Sequence, residues 1–203
     1  MKMIGQKVVV QVDKDYQDTL ELSSGVKLYL DTTYNPTHHV TIQGRVVAAP
    51  VGKYVRRSDG KYIKNEIREG DMIWFNYLTV DPTNLVEDTK NCYILDLEMV
   101  FCYLRGGTLT ATSNHCLVKP VKNKAKTFSD IIIAGQTKFS KNQGYVRFIS
   151  TPLKNCEKSE LERGDLVWFH ERYAFENKIN GDDYYVMETT NIESKITEIG
   201  RTV

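Results

Sequence analysis

The segment Arg68-Glu69-Gly70-Asp71-Met72-Ile73-Trp74-Phe75 returns later in the same chain as Glu162-Arg163-Gly164-Asp165-Leu166-Val167-Trp168-Phe169. Each copy holds a charged pair, Gly-Asp for a turn, two aliphatic residues and Trp-Phe, and Trp74 and Trp168 are the chain's 2 tryptophans. A repeat of this kind means one supersecondary unit used twice. Upstream, Gln43-Gly44-Arg45-Val46-Val47 parallels Gln143-Gly144-Tyr145-Val146-Arg147. Downstream, Thr108-Leu109-Thr110-Ala111-Thr112 is expected to match Tyr184-Tyr185-Val186-Met187-Glu188. The order is kept while the spacing drifts, as insertions between retained strands produce. The chain accordingly divides near residue 113, into residues 1–113 and 114–203, with an insert at about 78–104 in the first half.

Strand signals dominate both halves. Lys7 to Val12 is β-branched, Thr41 to Ala48 alternates, and Met72 to Phe75, Leu117 to Val121, Tyr145 to Ile149 and Tyr184 to Met187 follow. No window sustains a helical period. Ser58-Asp59-Gly60-Lys61 and Asn180-Gly181-Asp182 read as hairpin turns. Gly70 and Gly164, each before Asp71 or Asp165, suit a turn at positive φ, and Trp74 and Trp168 are expected in the core. Short strands punctuated by turns argue for small barrels or sandwiches.

Composition narrows the function. Lys plus Arg number 27 against 26 Asp plus Glu, a net charge of +1, so the chain lacks the field of a nucleic-acid binder. Apolar runs such as Ile131 to Ala134 and Met99 to Leu104 fall far short of the ~20 residues of a membrane span, and Met1 to Lys7 lacks a secretory pattern. A soluble, cytoplasmic protein is expected. Cys92, Cys102, Cys116 and Cys156 form no metal-ligand spacing and read as reduced, buried small hydrophobes. His115 beside Cys116 does not suggest an activated thiol, because neighbours on a strand point to opposite faces. His38-His39 reads as a loop tip, and Arg56-Arg57 is too small a cluster for a phosphate stripe. No nucleophile elbow or phosphate-cradling glycine loop is present in the sequence, so neither catalysis nor a cofactor or metal is expected.

Each half resembles a GroES-type co-chaperonin (chaperonin-10) subunit. That family has an opening strand, a long mobile loop with a hydrophobic tripeptide, a strand beginning at Gly, a roof hairpin, a Gly-Asp-x-Val-x-Phe strand and a closing strand pair. In the second half, Leu117 to Lys122 stands for the opening strand and Asn123 to Asn142 for the loop. Gly144-Tyr145-Val146 begins the next strand, Gly164 to Phe169 is the signature turn and strand, and Lys178 to Ile192 is the ending. In the first half, Gly52 to Lys64 suits the roof hairpin, which Thr151 to Cys156 replaces in the second. The resemblance implies two tandem, partly open all-β barrels.

It also implies a role. Asp130-Ile131-Ile132-Ile133-Ala134-Gly135 looks like the tripeptide with which the family grips its chaperonin. Val26, Leu28 and Leu30 occupy the same place in the first half, with Lys27 interrupting the triplet. From the residues alone, the three isoleucines are either a strand docked in this protein's own core or an exposed tag. The resemblance implies a co-chaperonin that caps a chaperonin ring in step with ATP and itself forms a homo-oligomeric ring, a heptamer. The rival reading is a non-catalytic assembly protein, such as a viral particle component, with the isoleucines buried in a permanent interface and the aromatic insert, Phe101 and Tyr103 included, as its assembly surface.

Overall fold

The structure is a computed structural model, and it describes residues 5–13, 19–21, 26–29, 42–55, 60, 62–80, 82–87, 89, 91–112, 114–122, 127–128, 131–132, 139–150 and 161–196. The chain divides into two compact units, Met1–Ser113 and Asn114–Val203. Strands and short 3-10 turns make up the regular structure among the described residues, and no helix there is long and apolar enough to cross a membrane.

Unit 1 is built on β1 (Lys7–Gln11), whose Val8, Val9 and Val10 are all buried. Buried β-branched side chains on both faces mark an interior strand. Next come the small ladder of β2 (Thr19–Glu21) with β3 (Lys27–Tyr29), then β4 (Gln43–Ala48), then the hairpin of β5 (Lys53–Val55) with β6 (Tyr62–Lys64). The strands β7 (Met72–Phe75), β8 (Cys92–Asp96), β9 (Val100–Arg105) and β10 (Thr108–Ala111) complete a six-stranded antiparallel sheet of order β10-β9-β7-β4-β1-β8. In β4, Gly44, Val46 and Ala48 face inward while Gln43, Arg45 and Val47 face outward. That is the period-2 pattern of a half-buried strand.

Unit 2 has β11 (His115–Lys122), the ladder of β12 (Thr127–Phe128) with β13 (Ile131–Ile132), β14 (Phe139–Ile149), β15 (Leu166–Phe169), β16 (Phe175–Ile179), β17 (Asp182–Glu188) and β18 (Ile192–Lys195). Its sheet runs β16-β17-β11-β14-β15-β18. Cys116, Val118, Val146, Val167, Phe169, Tyr185 and Met187 form its core, with the Phe169 and Tyr185 rings edge-to-face at 5.5 Å. Burying a Phe contributes about 1.5–3 kcal/mol, and such a ring pair adds ~0.5–1.5 kcal/mol. The end strands of each sheet do not pair with each other, so neither sheet closes into a barrel.

The pairing registers revise the expected insert. β8 pairs with β1 (Val10↔Tyr93) as β17 pairs with β11 (Val118↔Tyr185). β9 pairs with β7 (Phe75↔Val100) as β18 pairs with β15 (Phe169↔Ile192), each with a register shift after the tryptophan. Residues 78–104 therefore contain two strands common to both units, and Tyr184 to Glu188 corresponds to the β8 region, not to Thr108–Thr112. What unit 1 adds to the shared five-strand order is β10, and what unit 2 adds is β16. Gly106 and Gly107, at φ +54° and +80°, form a two-residue hairpin that folds β10 back on β9. Asn180 (φ +52°) and Gly181 (φ +89°) do the same between β16 and β17.

Two further expectations change. Trp74 is 2% exposed, but Trp168 is only partly buried: it lies on the opposite face of β15 from the core residues Val167 and Phe169. Phe101 and Tyr103, expected as an assembly surface, are buried within β9, so they are not available for one. His38, His39, Arg56, Arg57 and Cys156, and the replacement for the roof hairpin at residues 151–156, lie outside the described residues.

Candidate functional site

In both units the chain leaves the sheet at the same point. After β1 it makes the β2–β3 ladder and returns as β4, and after β11 it makes the β12–β13 ladder and returns as β14. The residues expected to grip a partner fall on these excursions. Leu28 pairs with Leu20 in β3, and Val26 precedes that strand at 52% exposure. Ile131 pairs with Phe128 and Ile132 with Thr127. Each excursion is a two-stranded ladder separate from the six-stranded sheets, and a two-stranded hairpin is marginally stable without further packing. Leu30 and Ile133 lie outside the described residues.

The Gly-Asp turns lead into β7 and β15, the strands that pair with the Gly-strands β4 and β14. Gly70 and Gly164 have φ of +87° and +102°, with open space around each Cα. The turn backbone locks onto the Gly-strand in both units. The Gly70 amide donates to the Val46 carbonyl at 2.9 Å and the Gly164 amide to that of Val146 at 2.8 Å. The Asp side chains then cap their own turns, Asp71 accepting from the Arg68 amide and Asp165 from the Glu162 amide, both at 2.7 Å.

Each aspartate also meets a cation from the strand that pairs with the one it leads into, β9 in unit 1 and β18 in unit 2. Arg105 makes a bidentate contact to Asp71, Nε to Oδ1 at 2.8 Å and an Nη to Oδ2 at 2.6 Å. Lys195 lies 2.8 Å from Asp165. The Lys195 hydrogen bond, with the Glu162 amide adding to it against the cost of burial, holds the Asp165 carboxyl below the usual carboxylate range. Arg105 and Lys195 were not singled out from sequence. They stand at different distances from their aspartates along the chain, so no fixed spacing marks them.

Gly44 and Gly144 serve another purpose. A Cβ on Gly144 would sit 2.4 Å from Val118 Cγ1 and 2.7 Å from the Lys119 carbonyl oxygen. One on Gly44 would sit 2.6 Å from both Val10 Cγ2 and the Gln11 carbonyl oxygen. The opening strand and the Gly-strand touch too closely for any side chain at either point. The repeated Gln-Gly in the two halves carried that signal.

Cys116 is fully buried and its thiol is pushed up to about 12 by burial, and burial likewise raises Cys102. Neither is a nucleophile at neutral pH. Among the described residues no group of three His, Cys, Asp or Glu side chains is placed to hold a metal.

The two units are antiparallel β-domains sharing one strand order, with a two-stranded excursion between the first and second long strands. A family model described as the chaperonin 10 kDa subunit matches residues 108–196, from β10 through β18. The co-chaperonin GroES of Thermotoga neapolitana is 29% identical over 82 residues, which is 40% of this chain and 88% of that protein. The second unit is a GroES-type, chaperonin-10 domain.

Proposed function

We propose that the chain is a co-chaperonin that caps a chaperonin ring and assists ATP-dependent protein folding, without catalysing a reaction itself. The observation that carries this reading is the chaperonin-10 match across unit 2. The Ile131–Ile132 ladder lies inside the matched residues and apart from the main sheet. Ile131, Ile132 and Ile133 enter an apolar groove on the partner, and Val26, Leu28 and Leu30 form the equivalent but weaker grip of unit 1, which is a second copy of the same domain.

The energetics favour many weak grips over one strong one. Each isoleucine contributes about 1.5–3 kcal/mol when buried, while ordering the segment costs roughly 1–2 kcal/mol per residue. A single segment binds weakly, and several on one oligomer bind tightly yet release together. The chain assembles as a homo-oligomeric ring, a heptamer in the resemblance. The outer edge of β18 supports such assembly. In unit 1 the corresponding edge of β9 is covered by β10, whereas no described strand covers β18.

Co-sedimentation with a purified chaperonin ring from the same source tests the reading. Wild type is expected in the pellet with ATP and in the supernatant without nucleotide. Ile132→Asp is expected to abolish capture and Leu28→Asp to weaken it. Wild type that stays in the supernatant under every nucleotide condition refutes the reading.

A further inference from the structure

The excursion of unit 2 departs beyond Lys122 and returns at Phe139, and these two residues form the last cross-strand pair of the β11–β14 ladder. Just inside that junction three contacts converge on Ser140 and Lys141. The Tyr185 hydroxyl donates to the Ser140 carbonyl at 2.9 Å. The Ser140 hydroxyl donates to Asn142 Oδ1 at 3.0 Å, and Lys141 Nζ lies 3.5 Å from Glu171 Oε2. Lys141 and Glu171 are 58% and 57% exposed, so their pairing holds little.

Tyr185 differs from the other two. Its ring is 4% exposed and packed edge-on against Phe169, so the core fixes where its hydroxyl points. It stands on β17, and β11 separates β17 from β14 in the sheet. The hydroxyl therefore reaches past the central strand to hold the strand beyond it. Burial, followed by the charges of Glu176 and Glu171, pushes the phenol up to about 12, so it keeps its proton and remains a donor at neutral pH. A tyrosine stands at the matching place in unit 1, where Tyr93 is also 4% exposed. Around the junction lies an open cavity of about 230 Å³ lined by Lys141, Glu171, Ala174 and Tyr185 among others.

We propose that Tyr185 is a positioning residue for the grip: its hydroxyl pins the root of the excursion at Ser140 and sets the direction in which Ile131 and Ile132 leave unit 2. This rests on the chaperonin-binding reading of those isoleucines. A pinned root narrows the volume that the tethered segment searches, which raises its effective concentration at the partner. It also lowers the ordering cost of binding, because the root is already fixed in the free chain.

The test uses the full-length chain and three forms: wild type, Tyr185→Phe, and Lys119→Gln. The last removes the exposed Lys119–Asp182 pair elsewhere in unit 2. Two quantities are read: amide exchange at residues 139–142 in the free chain, and the rate of release from an ATP-loaded chaperonin ring. A hydrogen bond of ordinary strength predicts that Tyr185→Phe speeds exchange at 139–142 by roughly three- to tenfold. Release should quicken by at least the same factor, because every loop on the ring is affected, while Lys119→Gln changes neither.

Unchanged exchange in Tyr185→Phe overturns the proposal. So does faster exchange with unchanged release, which makes the bond structural only, or an equal effect in Lys119→Gln, which makes it general destabilisation. If wild type is not captured at all, the co-chaperonin reading fails and the positioning role with it, and the exchange data alone then report whether Tyr185 pins the root.

Discussion

Gly144→Ala is the substitution whose cost follows most directly from the geometry. Ordinary carbon contacts lie at about 3.5–4.0 Å, whereas the added methyl would meet Val118 Cγ1 at 2.4 Å and the Lys119 carbonyl oxygen at 2.7 Å. Neither neighbour can yield cheaply. Val118 is 0% exposed in the central strand, and the Lys119 carbonyl is ladder backbone opposite Tyr145. Overpacking a core costs about 1–3 kcal/mol and occasionally more, and with backbone on one side the upper end, ~3 kcal/mol, is expected. For a unit of this size each kcal/mol shifts the midpoint by roughly 4–8 °C, so Tm should fall by about 12–24 °C.

Thermal melts followed by circular dichroism check this, with Gly164→Ala as the comparison. At Gly164 space is open and the cost is only the positive φ of +102°, about 1–2 kcal/mol. Gly144→Ala should therefore be the more damaging of the two, with Gly44→Ala acting in the same way on unit 1. A Gly144→Ala protein that melts within about 3 °C of wild type, or above Gly164→Ala, would refute the close-approach argument.

Acid should weaken unit 2 through Asp165. Its carboxyl titrates lower in the folded chain than in the unfolded one because of Lys195. The ionised group therefore stabilises fully above the unfolded value of about 3.9, and that contribution is lost as pH falls through the folded value. Asp165→Asn should be less stable than wild type at pH 7 and lose less on acidification below pH ~4, as urea titrations at each pH would reveal; parallel pH profiles would contradict the role of the Asp165–Lys195 pair. Cys116, fully buried with its thiol raised to about 12, should resist alkylation at pH 8 until the chain is unfolded, while half-buried Cys92 reacts first. Mass-spectrometric mapping that finds Cys116 labelled before Cys92 in the native protein would oppose this.

The all-β class and the two-fold repetition were legible because local rules dictate them. β4 alternates inward and outward residues and β14 does so from Gly144 to Arg147, and Asn180-Gly181 can adopt the two positive φ values that a tight hairpin demands. The strand equivalences in the middle of unit 1 were not legible, since they are defined by which strand each one pairs with. Cys92–Asp96 and Tyr184–Glu188 share little beyond apolar character, so Thr108–Thr112 matched the closing strand equally well by pattern. The Gly106-Gly107 hairpin that makes β10 a supplementary edge was the overlooked cue. Trp168 was misjudged for a related reason. It lies on the face of β15 opposite Val167 and Phe169, and that face is only partly covered in unit 2, whereas in β7 of unit 1 both faces are covered and Ile73, Trp74 and Phe75 are all buried.

The candidate site was legible in part. The position of the apolar triplets between the opening strand and the Gly-strand could be read from the order of motifs. The contacts that brace the site could not. Tyr185 and Ser140 are far apart in sequence and meet only because β17 and β14 flank β11. Arg105 and Lys195 likewise reach their aspartates through sheet order, not through spacing.

The most direct test of the central claim is amide exchange at residues 127–132, followed in the free chain and again with a chaperonin ring, with and without ATP. Rapid exchange is expected in the free chain, as for a two-stranded hairpin not hydrogen-bonded to the main sheet, with strong protection that appears only when ring and ATP are both present. Equal protection in the free chain and in the complex would mean that Ile131 and Ile132 belong to this protein's own fold, and that its contact with a chaperonin does not run through them.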